Sequence, residues 1–323
     1  QGLDGGLSAA RAAYVGGCVG TSNVLAGKVF GIPVMGTHAH SWVMFFGDEL
    51  EAFEKYAAAL PNNCVFLVDT YDTIEGVYNA VKVGKQLRER GHEMIGVRLD
   101  SGDLAYLSQQ ARQILDDEGF PDATIVASNS LDEHIIESLH RQGSQIGVWG
   151  VGTKLATAYD HAALGGVYKL SAAKVEGHWR PRLKLSEHAA KVNNPGVQQV
   201  RRYFDGEVYR GDIIYEEKLG IRKPPTVVDP SNPLRRTALS RDWAHEDLLV
   251  PIFRDGKRVY EPPPLDDVRE FCQAELRRFH PGVKRFLNPH EYPVGLEPEL
   301  QKLKTQLVTK ANEEAAARKK ERS

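Results

Sequence analysis

Met94-Ile-Gly-Val-Arg-Leu-Asp-Ser-Gly-Asp103 carries a short apolar run into a polar terminus, and Leu104, Leu107, Ala111, Ile114 and Leu115 then recur at helical spacing. A strand-like segment thus hands over to a helix-like one. The same grammar repeats on both sides. Cys64-Val-Phe-Leu-Val68 ends in Asp69-Thr-Tyr-Asp72 and leads to Ile74, Val77, Tyr78 and Val81, with Gly91 closing that helix. Ala123-Thr-Ile-Val-Ala127 ends in Ser128-Asn-Ser130 before Leu131, Ile135, Ile136 and Leu139. Gln145-Ile-Gly-Val-Trp149 ends in Gly150-Val-Gly-Thr-Lys154, and Gly166-Val-Tyr-Lys-Leu170 reads as the last strand. Five such segments describe consecutive βα units of an α/β protein. A catalytic barrel is the expected architecture, with a doubly wound sheet as the alternative.

In βα architectures the carboxyl ends of parallel strands converge on one face, so distant residues can share a pocket. Those ends present His40, Asp69 and Asp72, Arg98 with Asp100, Ser128 to Ser130, Gly150 to Lys154, and Lys169. Val29 to Met35 reads as a β-like run that stops at Gly36 and precedes His38 and His40. In an extended backbone both imidazoles leave the same side, where they could ligate a metal, act as acid and base, or carry a phosphoryl group. In the plainer alternative one packs and the other faces solvent. Gly150-Val-Gly-Thr-Lys154 lacks the Walker A spacing but can hold a phosphate on backbone N–H groups. Asp100-Ser-Gly-Asp103 lacks the remaining ligand positions of a calcium loop.

The 323 residues, 41% of them hydrophobic, suffice for a sizeable core. Lys plus Arg number 41 against 43 for Asp plus Glu, which argues against nucleic acid as the principal partner. Cys18, Cys64 and Cys272 are isolated, as expected of a reducing, cytoplasmic setting. No apolar run suggests a membrane span. Gln1-Gly-Leu-Asp-Gly-Gly6 reads like the inside of a loop, so an upstream portion is expected to exist, separate or missing. Leu7 to Tyr14 reads as a helix, and Thr21, Ser22 and Asn23 can cap the next one or help grip an anion. Beyond Lys169 the texture changes to short antiparallel strands at Val197 to Phe204, Glu207 to Tyr209 and Asp212 to Tyr215, with turns at Asp205-Gly206 and Arg210-Gly211. Lys184-Leu185 is a further strand candidate, and Val268, Phe271, Cys272, Leu276 and Phe279 fall at helical spacing. His280 and His290 read as capping or packing residues. The tail from Ala311 to Ser323 reads as a frayed, exposed helix.

Gly36-Thr-His-Ala-His-Ser-Trp42, Val68-Asp-Thr-Tyr-Asp-Thr73, Gly96 to Asp103, Gly150 to Lys154, Leu249-Val-Pro-Ile-Phe-Arg-Asp-Gly256 and His280 to Pro289 together resemble nicotinate phosphoribosyltransferase, over nearly the whole chain to about residue 305. The resemblance implies an irregular α/β barrel with a flanking mixed α+β domain: barrel core over residues 1–171, flanking domain over 172–305, tail over 306–323. It implies a homodimer with shared active sites. The implied reaction joins nicotinate to phosphoribosyl pyrophosphate with Mg²⁺, giving nicotinate mononucleotide and pyrophosphate, and hydrolyses ATP through a phosphohistidine. A nicotinamide phosphoribosyltransferase, a quinolinate phosphoribosyltransferase and a noncatalytic scaffold are the alternatives.

Carried over by motif, His40 resembles the phosphorylated histidine and Asp69 its orienting carboxylate, a role that asks for about 2.6 to 3.2 Å to one ring nitrogen. Asp72 is a second candidate or structural, and His38 could help place phosphate. Arg98 resembles a base contact; Asp100 is suited to ribose hydroxyls or hydrated Mg²⁺. Ser128 and Asn129 resemble ribose contacts, and Gly150, Gly152 and Thr153 the phosphate cradle. Ser22 and Asn23 resemble base-side residues, where a neutral Asn suits a carboxylate. Two departures stand out. Relatives commonly read Ser-Gly-Asp-Leu where this chain has Ser128-Asn-Ser-Leu131, and the family's ring-clamping arginine would lie upstream of Gln1.

Overall fold

The computed structural model describes residues 2–186 and 192–320, as two compact units divided between Leu164 and Gly165. In the first, helices α1 (Gly2–Gly16), α2 (Val24–Phe30), α3 (His40–Phe46) and α4 (Glu49–Ala59) precede an alternation of β1 (Val65–Leu67), α5 (Thr73–Glu89), β2 (Gly96–Leu99), α6 (Leu104–Asp117), β3 (Thr124–Ala127), α7 (Glu133–Arg141), β4 (Val148–Trp149) and α8 (Thr153–Ala156). The four strands pair in parallel in the order β1-β2-β3-β4, with Leu67 opposite Arg98 and Leu99 opposite Ala127. That consecutive order has no reversal point, so the sheet is not doubly wound. The α/β class holds, but among the described residues the sheet is an open arc of four strands and does not close into a barrel.

The arc is held from beneath by helix faces. Phe53, Phe66, Leu87, Leu99, Leu115, Phe120 and Ile125 are all essentially inaccessible and form one core between strands and helices. Gly76 lets α5 reach β1, because a Cβ there would stand 2.0 Å from the carbonyl oxygen of Val68. Helix starts are set by carboxylates: Asp48, Asp72, Asp103 and Asp132 each accept the backbone N–H three residues on, at 2.7 to 3.0 Å. Polar residues after each strand therefore do two jobs, and Asp72 belongs to the structural one.

Two strands expected before residue 171 are absent. Residues 29–35 do not form a β run: α2 continues to Phe30, Gly31 ends it in the left-handed conformation, and only an isolated bridge joins Val34 to Thr21. Gly166 to Leu170 is also not a strand; Val167, Tyr168 and Leu170 are exposed and pair with no neighbour in a sheet.

The second unit begins with the hairpin β5 (Ala172–Val175) and β6 (His178–Pro181). Its main sheet is built from β7 (Gln198–Asp205), β8 (Val208–Glu216), β9 (Thr226–Val228), β10 (Arg236–Ala238) and β11 (Ala244–Asp247). A small hairpin β12 (Phe253–Arg254) and β13 (Lys257–Arg258), helix α9 (Leu265–Arg277), strand β14 (Val294–Leu296) and helix α10 (Pro298–Lys320) complete it. The order β10-β9-β14-β8-β7-β11 makes a mixed sheet, antiparallel except where β14 runs beside β8. The turn at Asp205-Gly206 forms, whereas Arg210-Gly211 lies inside β8, with a bulge opposite between Tyr203 and Phe204. Lys184-Leu185 lies beyond the end of β6, and Phe279 lies just past α9. Arg202 clamps Asp212 through two hydrogen bonds of 2.8 and 2.9 Å, and Tyr292 donates to the same carboxylate. His280 accepts the Gly282 N–H and stacks on His290. The tail is continuous helix to Lys320; Ser323 and the two residues before it, like Gln1, lie outside the described residues.

Candidate functional site

The carboxyl ends of β1, β2 and β3 carry Asp69, Arg98 with Asp100, and Ser128, and hydrogen bonds join them into one cluster. Arg98 is the hub. Its Nε donates to Ser128 Oγ at 2.9 Å, Nη1 to Thr37 Oγ1 at 2.6 Å and Nη2 to Asp100 Oδ1 at 3.3 Å. A guanidinium has five N–H groups, so two remain for an anion while the other three hold its plane. Ser128 also donates to Asp100 Oδ1. Burial works to raise the Asp100 carboxyl, but the Ser128 hydroxyl, the Arg98 charge and His40 outweigh it and hold the acid below the ordinary carboxylate range.

Asp69 lies behind this group, its side chain 1% exposed. Its Oδ2 accepts the Asp100 N–H at 2.9 Å and the Ser101 hydroxyl at 2.7 Å, while Oδ1 is buried with no hydrogen-bond partner. That free oxygen stands 3.8 Å from His40 Nε2, and Asp100 Oδ2 stands at 3.5 Å. The expected short bond from Asp69 to the ring is therefore not made. The ring is instead bonded through Nδ1 to Thr70 Oγ1 at 3.0 Å.

The two histidines part company because Ala39, in extended conformation, is the N-cap of α3 and His40 its first residue. His38 turns inward, 7% exposed, against Phe53, Tyr56 and Phe66. Its Nε2 accepts the Leu67 N–H at 3.2 Å, and Nδ1 lies 3.4 Å from the Ala39 carbonyl, so both ring nitrogens serve the backbone. Burial pushes the imidazole down to about 4, with help from the charges of Arg98 and His40. His38 is a core residue, not a phosphate ligand. The plainer reading of the pair, one packed and one half-exposed, is what the fold adopts.

The remaining expected residues divide. Gly150 donates its N–H to the Ala127 carbonyl at 2.7 Å, so it extends the sheet and has no donor left for a phosphate. Gly152 caps α8 and Thr153 begins it; both are exposed, and the first-turn N–H groups lie outside the helix's own bonding. Lys154 is paired with Asp132. Asn129 is exposed at φ 89°, a left-handed conformation that favours glycine. Asn23 caps α2 by accepting the Ala26 N–H at 3.1 Å, and Ser22 is exposed beside it. Thr37, Thr70 and Ser101 were not singled out from sequence. Each sits within a quoted motif, but a hydroxyl near a strand end is equally a cap, and only proximity distinguishes the two.

A separate cavity of about 370 Å³ lies between the starts of α4 and α5, lined by Asp48, Glu49, Asp72 and Glu75 among others. Burial raises the Glu49 carboxyl, and its Oε1 has no partner. So acidic a lining suits no phosphate. Among the described residues the one trio of close metal-type donors, Glu133, His134 and Asp160, is exposed and includes none of the cluster above.

Fold and site together define an α/β protein whose strand ends gather an arginine held by three side-chain hydrogen bonds, two carboxylates and a half-exposed histidine. Residues 6–186 match the model of the nicotinate phosphoribosyltransferase family, and residues 197–304 match the model of that enzyme's C-terminal domain. The chain belongs to the nicotinate phosphoribosyltransferase family. It is 44% identical to a nicotinate phosphoribosyltransferase of Bacillus subtilis over 95% of this chain and 63% of that protein. With a relative of the same description from Dictyostelium discoideum it shares 35% identity over 93% of this chain and 60% of that one. The crystal structure of human nicotinic acid phosphoribosyltransferase superposes with a TM-score of 0.77 at 29% identity, covering 95% of this chain and 68% of that one. The chain thus spans about three fifths of the length of these two curated relatives. Among the described residues no helix is long and apolar enough to cross a membrane.

Proposed function

We propose that the protein joins nicotinate to phosphoribosyl pyrophosphate, releasing pyrophosphate and nicotinate mononucleotide, and that ATP hydrolysis is coupled to this through His40. The observation that carries the reading is the Arg98 cluster, in which a fixed guanidinium keeps two N–H groups for a carboxylate within reach of the His40 and Asp100 side chains. In the synthesis the nicotinate ring nitrogen forms a bond to the ribose anomeric carbon as the bond to pyrophosphate oxygen breaks, the electron pair leaving with pyrophosphate. Arg98 orients the base through its carboxylate, and Asp100 and Ser128 face the sugar hydroxyls. Gly152 and Thr153 supply the backbone donors for the 5′-phosphate.

In the ATP half-reaction a neutral ring nitrogen of His40 attacks the γ-phosphorus, the bond to ADP oxygen breaks, and water later cleaves the nitrogen–phosphorus bond. The donor set fits Mg²⁺: the unpartnered Asp69 Oδ1 and the Asp100 Oδ2 are hard oxygens that would hold it with substrate phosphates. Bound there, the ion would offset phosphate charge. A cytoplasmic homodimer with shared sites is part of the same proposal.

Incubation with γ-labelled ATP and Mg²⁺ should give an acid-labile, base-stable adduct that H40A abolishes. Undiminished labelling in H40A refutes the phosphohistidine. Base competition tests the substrate: productive use of nicotinamide with little response to nicotinate would replace this reading with the nicotinamide one. Failure to bind either phosphoribosyl pyrophosphate or nicotinate would favour a scaffold.

A further inference from the structure

Arg98, the proposed base contact, is held along one edge of its guanidinium and again at a point off that edge. Ser128 Oγ takes the Nε hydrogen at 2.9 Å, and Asp100 Oδ1 takes one Nη2 hydrogen at 3.3 Å. Contacts on the Nε–Nη2 edge alone act as a hinge, about which a planar group can still tilt. The bond from Nη1 to Thr37 Oγ1, at 2.6 Å, lies off that edge and stops the tilt. One hydrogen then remains on each Nη nitrogen, and a carboxylate can bridge the two.

The direction of each bond at Thr37 is set by its partners. A guanidinium has no acceptor, so the hydroxyl oxygen accepts from Arg98; a carbonyl has no donor, so the hydroxyl hydrogen goes to the His38 carbonyl, at 3.0 Å. That carbonyl belongs to a residue anchored in the core. The His38 ring accepts the Leu67 N–H at 3.2 Å and packs against Phe53, Tyr56 and Phe66. We infer that Thr37 is the positioning residue of Arg98, its hydroxyl carrying the rigidity of the His38 anchor to the guanidinium plane. It acts through Arg98 and not on the substrate. The same hydroxyl joins β2, which carries Arg98, to the segment that leads into His40.

Its weight in the reaction rests on the proposed base-binding role of Arg98, and the experiment separates the two. In ligand-free protein carrying ¹⁵N-arginine, exchange between the Nη positions reports rotation about the Nε–Cζ bond, which must break the bonds at both Nη1 and Nη2. R98K assigns the signals by their disappearance. Wild type should rotate slowly. T37V, which keeps the side-chain shape and loses the acceptor, should rotate about tenfold faster, and T37S should restore the slow rate. An unchanged backbone spectrum in T37V establishes that the variant is folded. In steady-state kinetics T37V should raise the nicotinate KM about tenfold, with kcat and the phosphoribosyl pyrophosphate KM changed by no more than about twofold; T37S should recover the loss. A wild-type rotation rate in folded T37V, or fast rotation already in wild type, overturns the inference. So does a nicotinate KM that R98K raises and T37V does not. If rotation speeds up in T37V but neither variant changes the nicotinate KM, the base role of Arg98 fails and Thr37's hold on the guanidinium stands.

Discussion

His38 makes a quantitative test of the core beneath the site, because its buried, neutral state couples folding to pH. In the unfolded chain the imidazole titrates near 6.5, and in the fold it is pushed down to about 4. Between those values the unfolded chain binds a proton that the native one does not, so stability rises with pH through this window. The contribution is complete above 6.5 and is lost as pH falls to about 4. At about 1.4 kcal/mol per pH unit that interval amounts to roughly 3 kcal/mol, with no discount for solvent, since His38 is only 7% exposed. H38Q is the informative variant: the amide oxygen can still accept the Leu67 N–H but does not titrate. Urea unfolding of both proteins at intervals from pH 7 to 4 gives the difference in slope, in which other titrating groups largely cancel. Wild type should lose stability faster, by up to about 1.4 kcal/mol per pH unit at the steepest point. Identical slopes would mean that His38 is solvated or protonated in the fold and would remove it from the core.

R98K should raise the nicotinate KM by about two orders of magnitude with a smaller effect on phosphoribosyl pyrophosphate, because an ammonium cannot reproduce the planar fork that Ser128, Thr37 and Asp100 hold in place; steady-state kinetics with each substrate varied decides it. G76A should destabilise the first unit by about 3 kcal/mol or more, since its Cβ has nowhere to go but into the Val68 carbonyl, and a thermal unfolding midpoint near wild type would contradict the close approach of α5 to β1. N129V should cost about 1 to 2 kcal/mol at its positive φ, whereas N129G should be nearly neutral, both read by chemical unfolding.

Hydroxyl and carboxylate side chains after β1, β2 and β3 look alike in the sequence, yet they act differently in the fold. Asp72, Asp103 and Asp132 begin helices, while Asp69, Asp100 and Ser128 form the cluster. The division follows from which residue comes just after the strand and which caps the helix three or four positions further on, a distinction that composition does not mark. The run expected to cradle a phosphate divides for a similar reason. Gly150 looks like a free turn residue, but its N–H lies opposite the Ala127 carbonyl and completes the ladder.

The alternation of short apolar runs with helical periodicity was enough by itself to determine α/β units, their order, and the convergence of Asp69, Arg98, Asp100 and Ser128, because both periods and the polar strand ends are local properties of the chain. The antiparallel texture of the second unit was legible for the same reason. Tertiary structure alone decided the rest. Residues 29–35 read as a short β-like run but are split between a helix capped by Asn23 and a segment after Gly31 that makes only an isolated bridge. Val167, Tyr168 and Leu170 have strand-like composition without a pairing partner, and a strand exists only where another backbone answers its hydrogen bonds. His38 and His40, two residues apart, face opposite environments because a helix begins between them. Thr70 became the ring's partner, and Asp69 did not, through a difference of less than 1 Å between bonds that only the packed fold sets.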